Sequence, residues 1–67
     1  MPKITMEAAR VNAGLTQAEL AEKMGVSRAS VTDWERGKRE MRPAFFYMFC
    51  KIVDMSEDDI LLPKKST

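Results

Sequence analysis

Arg28, Ala29, Thr32, Asp33 and Arg36 recur at spacings of one, three and four residues, which sets them along one side of a helix. Their side chains are short or polar, with no large apolar group among them. Such a face suits the major groove of a duplex, where base edges present donors, acceptors and thymine methyls. An arginine in the first turn, Arg28, can fork onto O6 and N7 of guanine. Ala29 offers a methyl to a thymine methyl, and Thr32 either a methyl or a hydroxyl. Asp33 can accept from cytosine N4, or it can hold Arg28 or Arg36 in position.

The opposite side of the same helix carries Val31, Trp34 and Glu35. Trp34 shares its helical phase with Val31, which assigns the indole to the core rather than to stacking on bases. This helix is the second of two within Thr16 to Gly37. Thr16 is placed to cap the first, with Glu19 completing a capping box and Leu15 and Leu20 at staple spacing. Gly25 follows Met24 where a left-handed residue would stop that helix, and Ser27 caps the next, with Val26 and Val31 repeating the staple. Gly37 is the second stop. Two helices joined by a Gly-containing turn form a helix-turn-helix.

The stretch LTQAELAEKMGVSRASVTDWERGK closely resembles the Cro/repressor-type helix-turn-helix family, the Xre-like transcriptional regulators. The matching features are Leu15-Thr16-Gln17, Leu20-Ala21, Gly25-Val26-Ser27, Val31 and Trp34-Glu35-Arg36-Gly37-Lys38. A looser likeness extends over residues 5 to 62. It implies that Arg28, Ala29, Thr32 and Asp33 face bases, and that Gln17 supports a phosphate and braces the start of the reading helix. It also implies that Arg10 and Glu35 form an internal ion pair, and that Lys38, Arg39 and Arg42 follow the sugar–phosphate backbone. Thr16, Ser27 and Arg36 join Gln17 and those loop residues as the expected backbone contacts. Some relatives touch RNA polymerase through acidic residues of the first motif helix, but Glu22 reads as a solvated charge. Arg28-Ala29 stands where well-known phage members carry glutamines, so the docking mode transfers and the base preference does not.

Around the motif, Thr5 caps an expected helix over Met6 to Ala13, ended by Gly14, with Met6, Ala9 and Ala13 toward the core. Met1 to Ile4 reads as a short arm, and Lys64 to Thr67 as a loose end. Pro43 to Val53 forms a fourth helix whose inward stripe is Phe46, Phe49, Cys50 and Val53. Phe45, Met48 and Ile52 make a second apolar stripe, expected to form a two-fold dimer interface or to meet a foreign partner. Ser56, with Asp59 in the capping-box position, starts a fifth, short helix that returns Ile60 and Leu61 to the core before Pro63.

The chain's 67 residues have room for one domain, residues 1–67, and a domain that small gains from dimerising. No apolar run approaches 18 residues and no secretory leader is present. A single cysteine, Cys50, fits a reducing, cytoplasmic setting. The absence of histidine argues against a zinc site and removes Ser–His and Cys–His nucleophile pairs. The net charge is only +1, but residues 28–42 concentrate Arg28, Arg36, Lys38, Arg39 and Arg42, while Asp54, Glu57, Asp58 and Asp59 cluster beyond them.

These features lead to an all-α, compact five-helix repressor-like domain. Its expected function is to bind a palindromic operator as a homodimer on double-stranded DNA, without catalysis, cofactor, metal, small-molecule ligand or membrane. The alternative is an antitoxin-like or bridging module that binds a protein through helix 43–53.

Overall fold

The local punctuation of the chain sets the helix ends. A computed structural model describes residues 3–63. Helix α1, Met6–Asn12, starts where Thr5 Oγ1 accepts from the Ala8 amide at 3.1 Å. Helix α2, Gln17–Met24, begins with a complete capping box. The Glu19 amide donates to Thr16 Oγ1 at 3.1 Å, and the Thr16 amide donates to Glu19 Oε1 at 2.9 Å. The bond from the Thr16 backbone foremost, and then the Thr16 side chain, hold the Glu19 carboxyl below the usual glutamate range. Helix α3, Arg28–Arg36, is capped by Ser27, whose Oγ accepts from the Ser30 amide at 3.2 Å. Helix α4, Pro43–Val53, opens on Pro43, where a missing N–H costs nothing.

Two of the stops are left-handed glycines. Gly25 has φ 70° and Gly37 has φ 75°. After each, a following amide reaches back to a helical carbonyl: Val26 to Ala21 at 3.0 Å and Lys38 to Asp33 at 2.9 Å. Helix α4 ends instead at Asp54, which takes φ 58° without being glycine.

The helices close around Met6, Leu20, Val31 and Phe49, all fully buried. Ala9, Ala21, Met24, Trp34, Cys50, Val53 and Ile60 complete the core together with Met41. Met41 is the lone apolar residue of the charged loop 38–42, and its burial fastens that loop to the domain. Helices α2 and α3 pack closely against each other, so α3 is mounted on its neighbour.

Several sequence expectations are corrected. Among the described residues there are four α-helices, not five. Glu57–Asp59 makes a single 3₁₀ turn because Ser56 Oγ takes the Asp58 amide, at 3.3 Å, in place of a capping box with Asp59. Ile60 then turns extended, at φ −115° and ψ 128°, and strand β2, Ile60–Leu61, pairs in parallel with strand β1, Ile4–Thr5. Ile4 is therefore held by a strand and packs on the core instead of lying in an arm. Leu61 is exposed, and Ala13 is exposed because it caps α1 rather than continuing its buried stripe. Met1, Pro2 and the end segment 64–67 lie outside the described residues.

Adding a Cβ to Gly25 would meet nothing within 4 Å, so a substitution there isolates the cost of the left-handed backbone. Gly25→Ala is expected to lower stability by about 1–2 kcal/mol in urea unfolding.

Candidate nucleic-acid interface

The exposed side of α3 is built from the residues left over after the core has taken Val31 and Trp34. Arg28, Ala29 and Arg36 are exposed, and Thr32 and Asp33 are half-buried at its margins. This face is held from beneath by an ion pair. Arg10 Nε donates to Glu35 Oε2 at 2.7 Å, with side-chain exposures of 11% and 4%. Arg10 Nη2 lies 3.4 Å from Glu35 Oε1, and Nη1 donates to the Leu15 carbonyl at 2.8 Å. One guanidinium thus joins α1, the turn before α2 and the end of α3.

Gln17 extends this network toward the surface. Its Nε2 donates to Glu35 Oε1 at 2.9 Å, and its Oε1 accepts from the Thr32 hydroxyl at 3.2 Å. The same hydroxyl lies 3.1 Å from the Arg28 carbonyl, one turn back. The side chain of Gln17 therefore bonds to α3 in the unbound protein. The connection to Thr32 and Glu35 escaped the sequence reading, although Gln17, Thr32 and Glu35 were each singled out.

A second set of contacts crosses the other edge of α3. Arg39 Nη1 donates to Ser30 Oγ at 3.1 Å, and its Nη2 lies 3.8 Å from Asp33 Oδ2. Ser30 Oγ is also 3.1 Å from Ser27 Oγ. Asp33 is thus partnered by Arg39 and not by Arg28 or Arg36, because the Gly37 turn folds the following loop back over the helix. Ser30, not foreseen as a site residue, sits three residues after the Ser27 cap, a spacing that brings the two hydroxyls together. The Arg39 ion pair is largely solvated, which makes it worth under about 1 kcal/mol and easily exchanged for a phosphate.

The loop and the start of α4 add a further anion-facing edge. Lys38, Arg39 and Arg42 are all exposed. Arg42 occupies the cap position of α4 and makes no side-chain capping bond. The first-turn amides and the positive end of the helix dipole are available there to an anion, beside the arginine's own charge. Thr16 and Ser27, in contrast, spend their hydroxyls on capping α2 and α3.

The apolar stripe assigned to α4 divides. Phe45 packs on Trp34, with ring centroids 5.3 Å apart and planes tilted by 40°, and Ile52 also packs against the core. Met48 remains exposed, as does Tyr47, over whose ring the Lys51 ammonium sits at 5.3 Å. Phe45 and Ile52 turn inward because the core of so small a domain needs the flanks of α4 as well as its centre. Among the described residues, no group of three or more His, Cys, Asp or Glu side chains could hold a metal ion. No described helix is long and apolar enough to cross a membrane.

A pair of capped helices joined by a left-handed glycine, with the second presenting a polar outer face, defines a helix-turn-helix of the DNA-binding class. A helix-turn-helix family model matches residues 6–60, and the chain belongs to that family, the Cro/C1-type helix-turn-helix domains. Among solved structures, the chain is similar to the crystal structure of a hypothetical transcription factor, NHTF, from Neisseria. The two are 29% identical with a TM-score of 0.76, over 87% of this chain and 65% of that one. The match thus spans less than two thirds of the neighbour's length. No curated protein matches the chain.

The buried ion pair and the solvated one should respond differently to mutation. Arg10→Met, which strands Glu35 with only Gln17 beside it, is expected to cost about 3–5 kcal/mol in urea unfolding, and Glu35→Gln a comparable amount. Replacing both by apolar residues should cost less than either single change, whereas Asp33→Asn should shift stability by under about 1 kcal/mol.

Proposed function

We propose that this chain is a sequence-specific DNA-binding transcriptional regulator that acts as a repressor. It binds a palindromic operator as a homodimer, with residues 27–36 entering the major groove. The observation that carries the reading is the exposed polar face of α3, braced from below by the Arg10–Glu35 pair and flanked by Lys38, Arg39 and Arg42. A rigid mount of this kind is what base readout requires, since hydrogen bonds to base edges tolerate little displacement.

Arg28 and Ala29 are the principal base readers, with Thr32 and Asp33 beside them. Gln17, Arg36, Lys38, Arg39, Arg42 and the caps at Thr16 and Ser27 line the phosphate backbone. Arg39 changes partner on binding, leaving Asp33 and Ser30 for a phosphate oxygen. The domain measures 29 × 28 × 19 Å. On a palindromic site the two copies place their reading helices about one turn of the duplex, ~34 Å, apart on the same side of the DNA. The domain is non-enzymatic and works in the cytoplasm without a cofactor.

A second reading is supported by Tyr47 and Met48, which are 57% and 39% exposed on α4. In it the helix 43–53 binds a toxin-like or bridging protein, with Phe45 and Ile52 as the semi-buried flanks of the contact. Self-association of the purified chain favours the homodimer, and a monomer favours the foreign partner.

Selection from a random duplex pool tests the main reading directly. An inverted repeat is the expected product, and absence of enrichment at modest salt would sink it. On the selected site, Arg28→Ala should cost about 1–3 kcal/mol and relax preference at one base pair. Lys38→Ala should weaken all duplexes alike and reduce the salt slope by about one unit.

A further inference from the structure

Thr32 stands on the reading face with its hydroxyl between two acceptors supplied by the protein. Glu35, paired with Arg10 at 2.7 Å, offers only lone pairs to Gln17. The Gln17 group 2.9 Å from Glu35 Oε1 must therefore be its amide nitrogen. That orientation leaves the Gln17 carbonyl oxygen facing Thr32 Oγ1 at 3.2 Å, and a carbonyl oxygen can only accept. The other neighbour of the hydroxyl, the Arg28 carbonyl at 3.1 Å, is also purely an acceptor. A threonine hydroxyl has one proton, and both directions open to it inside the protein are hydrogen bonds it must donate.

We infer that Thr32 meets the major groove with its hydroxyl proton already committed, so that it accepts hydrogen bonds or presents its methyl, and thereby excludes guanine from the base it faces. The inference rests on the DNA-reading function proposed above and assigns Thr32 its polarity within it. The chemistry of the base edges gives the ranking. Adenine N6 and cytosine N4 carry hydrogens that the free lone pair of Thr32 can take, and thymine presents a methyl. Guanine shows only N7 and O6, both acceptors, so lone pair meets lone pair. Gln17 acts here as a positioning residue. Held by the buried Arg10–Glu35 pair, its carbonyl adds a second acceptor to the Arg28 carbonyl, without itself touching the base.

The test uses the full chain and its selected duplex. The base pair read by Thr32 is identified as the one whose preference changes in Thr32→Ala, and all four bases are then compared there. The wild-type protein should bind the guanine duplex about tenfold or more weakly than the best of the other three. Thr32→Ala, and the isosteric Thr32→Val, should bring all four within about threefold of one another. Gln17→Leu removes one of the two internal acceptors but leaves the Arg28 carbonyl to take the proton, so the guanine penalty should shrink by no more than about threefold. Thermal melts of each variant check that the fold is retained.

Two results overturn the inference: guanine accepted as readily as the others by the wild type, or no base pair altered by Thr32→Ala. A wild-type protein with no preference at any position overturns the DNA-reading function itself, and this inference with it.

Discussion

Arg10 and Glu35 lie 25 residues apart in sequence, and their contact is where α1, the turn into α2 and the far end of α3 are joined. A charge in that place is costly to leave unpaired, because so little of either side chain reaches water. The pair therefore constrains geometry more than it adds stability. Arrangements of the three helices that separate the two groups strand a buried ion, and that penalty narrows the ways α3 can sit. An apolar pair of similar size could fill the same space without demanding one angle or one register.

The consequence reaches the surface through Gln17. Glu35 holds the glutamine amide in one orientation, and the glutamine then meets the hydroxyl of Thr32. A chain of four side chains runs from the inside of α1 to the outer face of α3, and each link has a defined donor and acceptor. On the opposite edge, Arg39, Ser30 and Ser27 bind one another in a looser, solvated way. The two edges of the reading helix thus differ in kind. One is fixed by a buried charge, and the other is a labile contact that a phosphate can replace.

The apolar economy of the chain explains α4 on the same terms. A domain of this size has few residues with which to enclose a core, so an aromatic such as Phe45, exposed by simple helical phase, is drawn onto Trp34. Met41 is recruited from a charged loop for the same reason, and in being buried it fixes the path of Lys38, Arg39 and Arg42. The short parallel pairing of Ile4–Thr5 with Ile60–Leu61 closes the remaining side by joining the two ends of the described chain.

The helix-turn-helix itself was legible in the residues, since caps and stops act over three or four positions and the relevant side chains are written side by side. Thr16 with Glu19, Ser27, Gly25 and Gly37 specify where α2 and α3 begin and end, and the period of Val31 and Trp34 specifies which side of α3 is left outside the core. The residues after Val53 were not legible in this way. Ser56 and Asp59 have the spacing of a helix start, but Ile60 gains more from pairing with Ile4 across the domain, and local signals carry no information about so distant a strand. Nor could spacing show that Asp33 would turn to Arg39, that Gln17 would join Glu35 to Thr32, or that Phe45 and Ile52 would fold inward. Those outcomes depend on the angles at which α1, α3 and α4 meet, and only the packed core decides them.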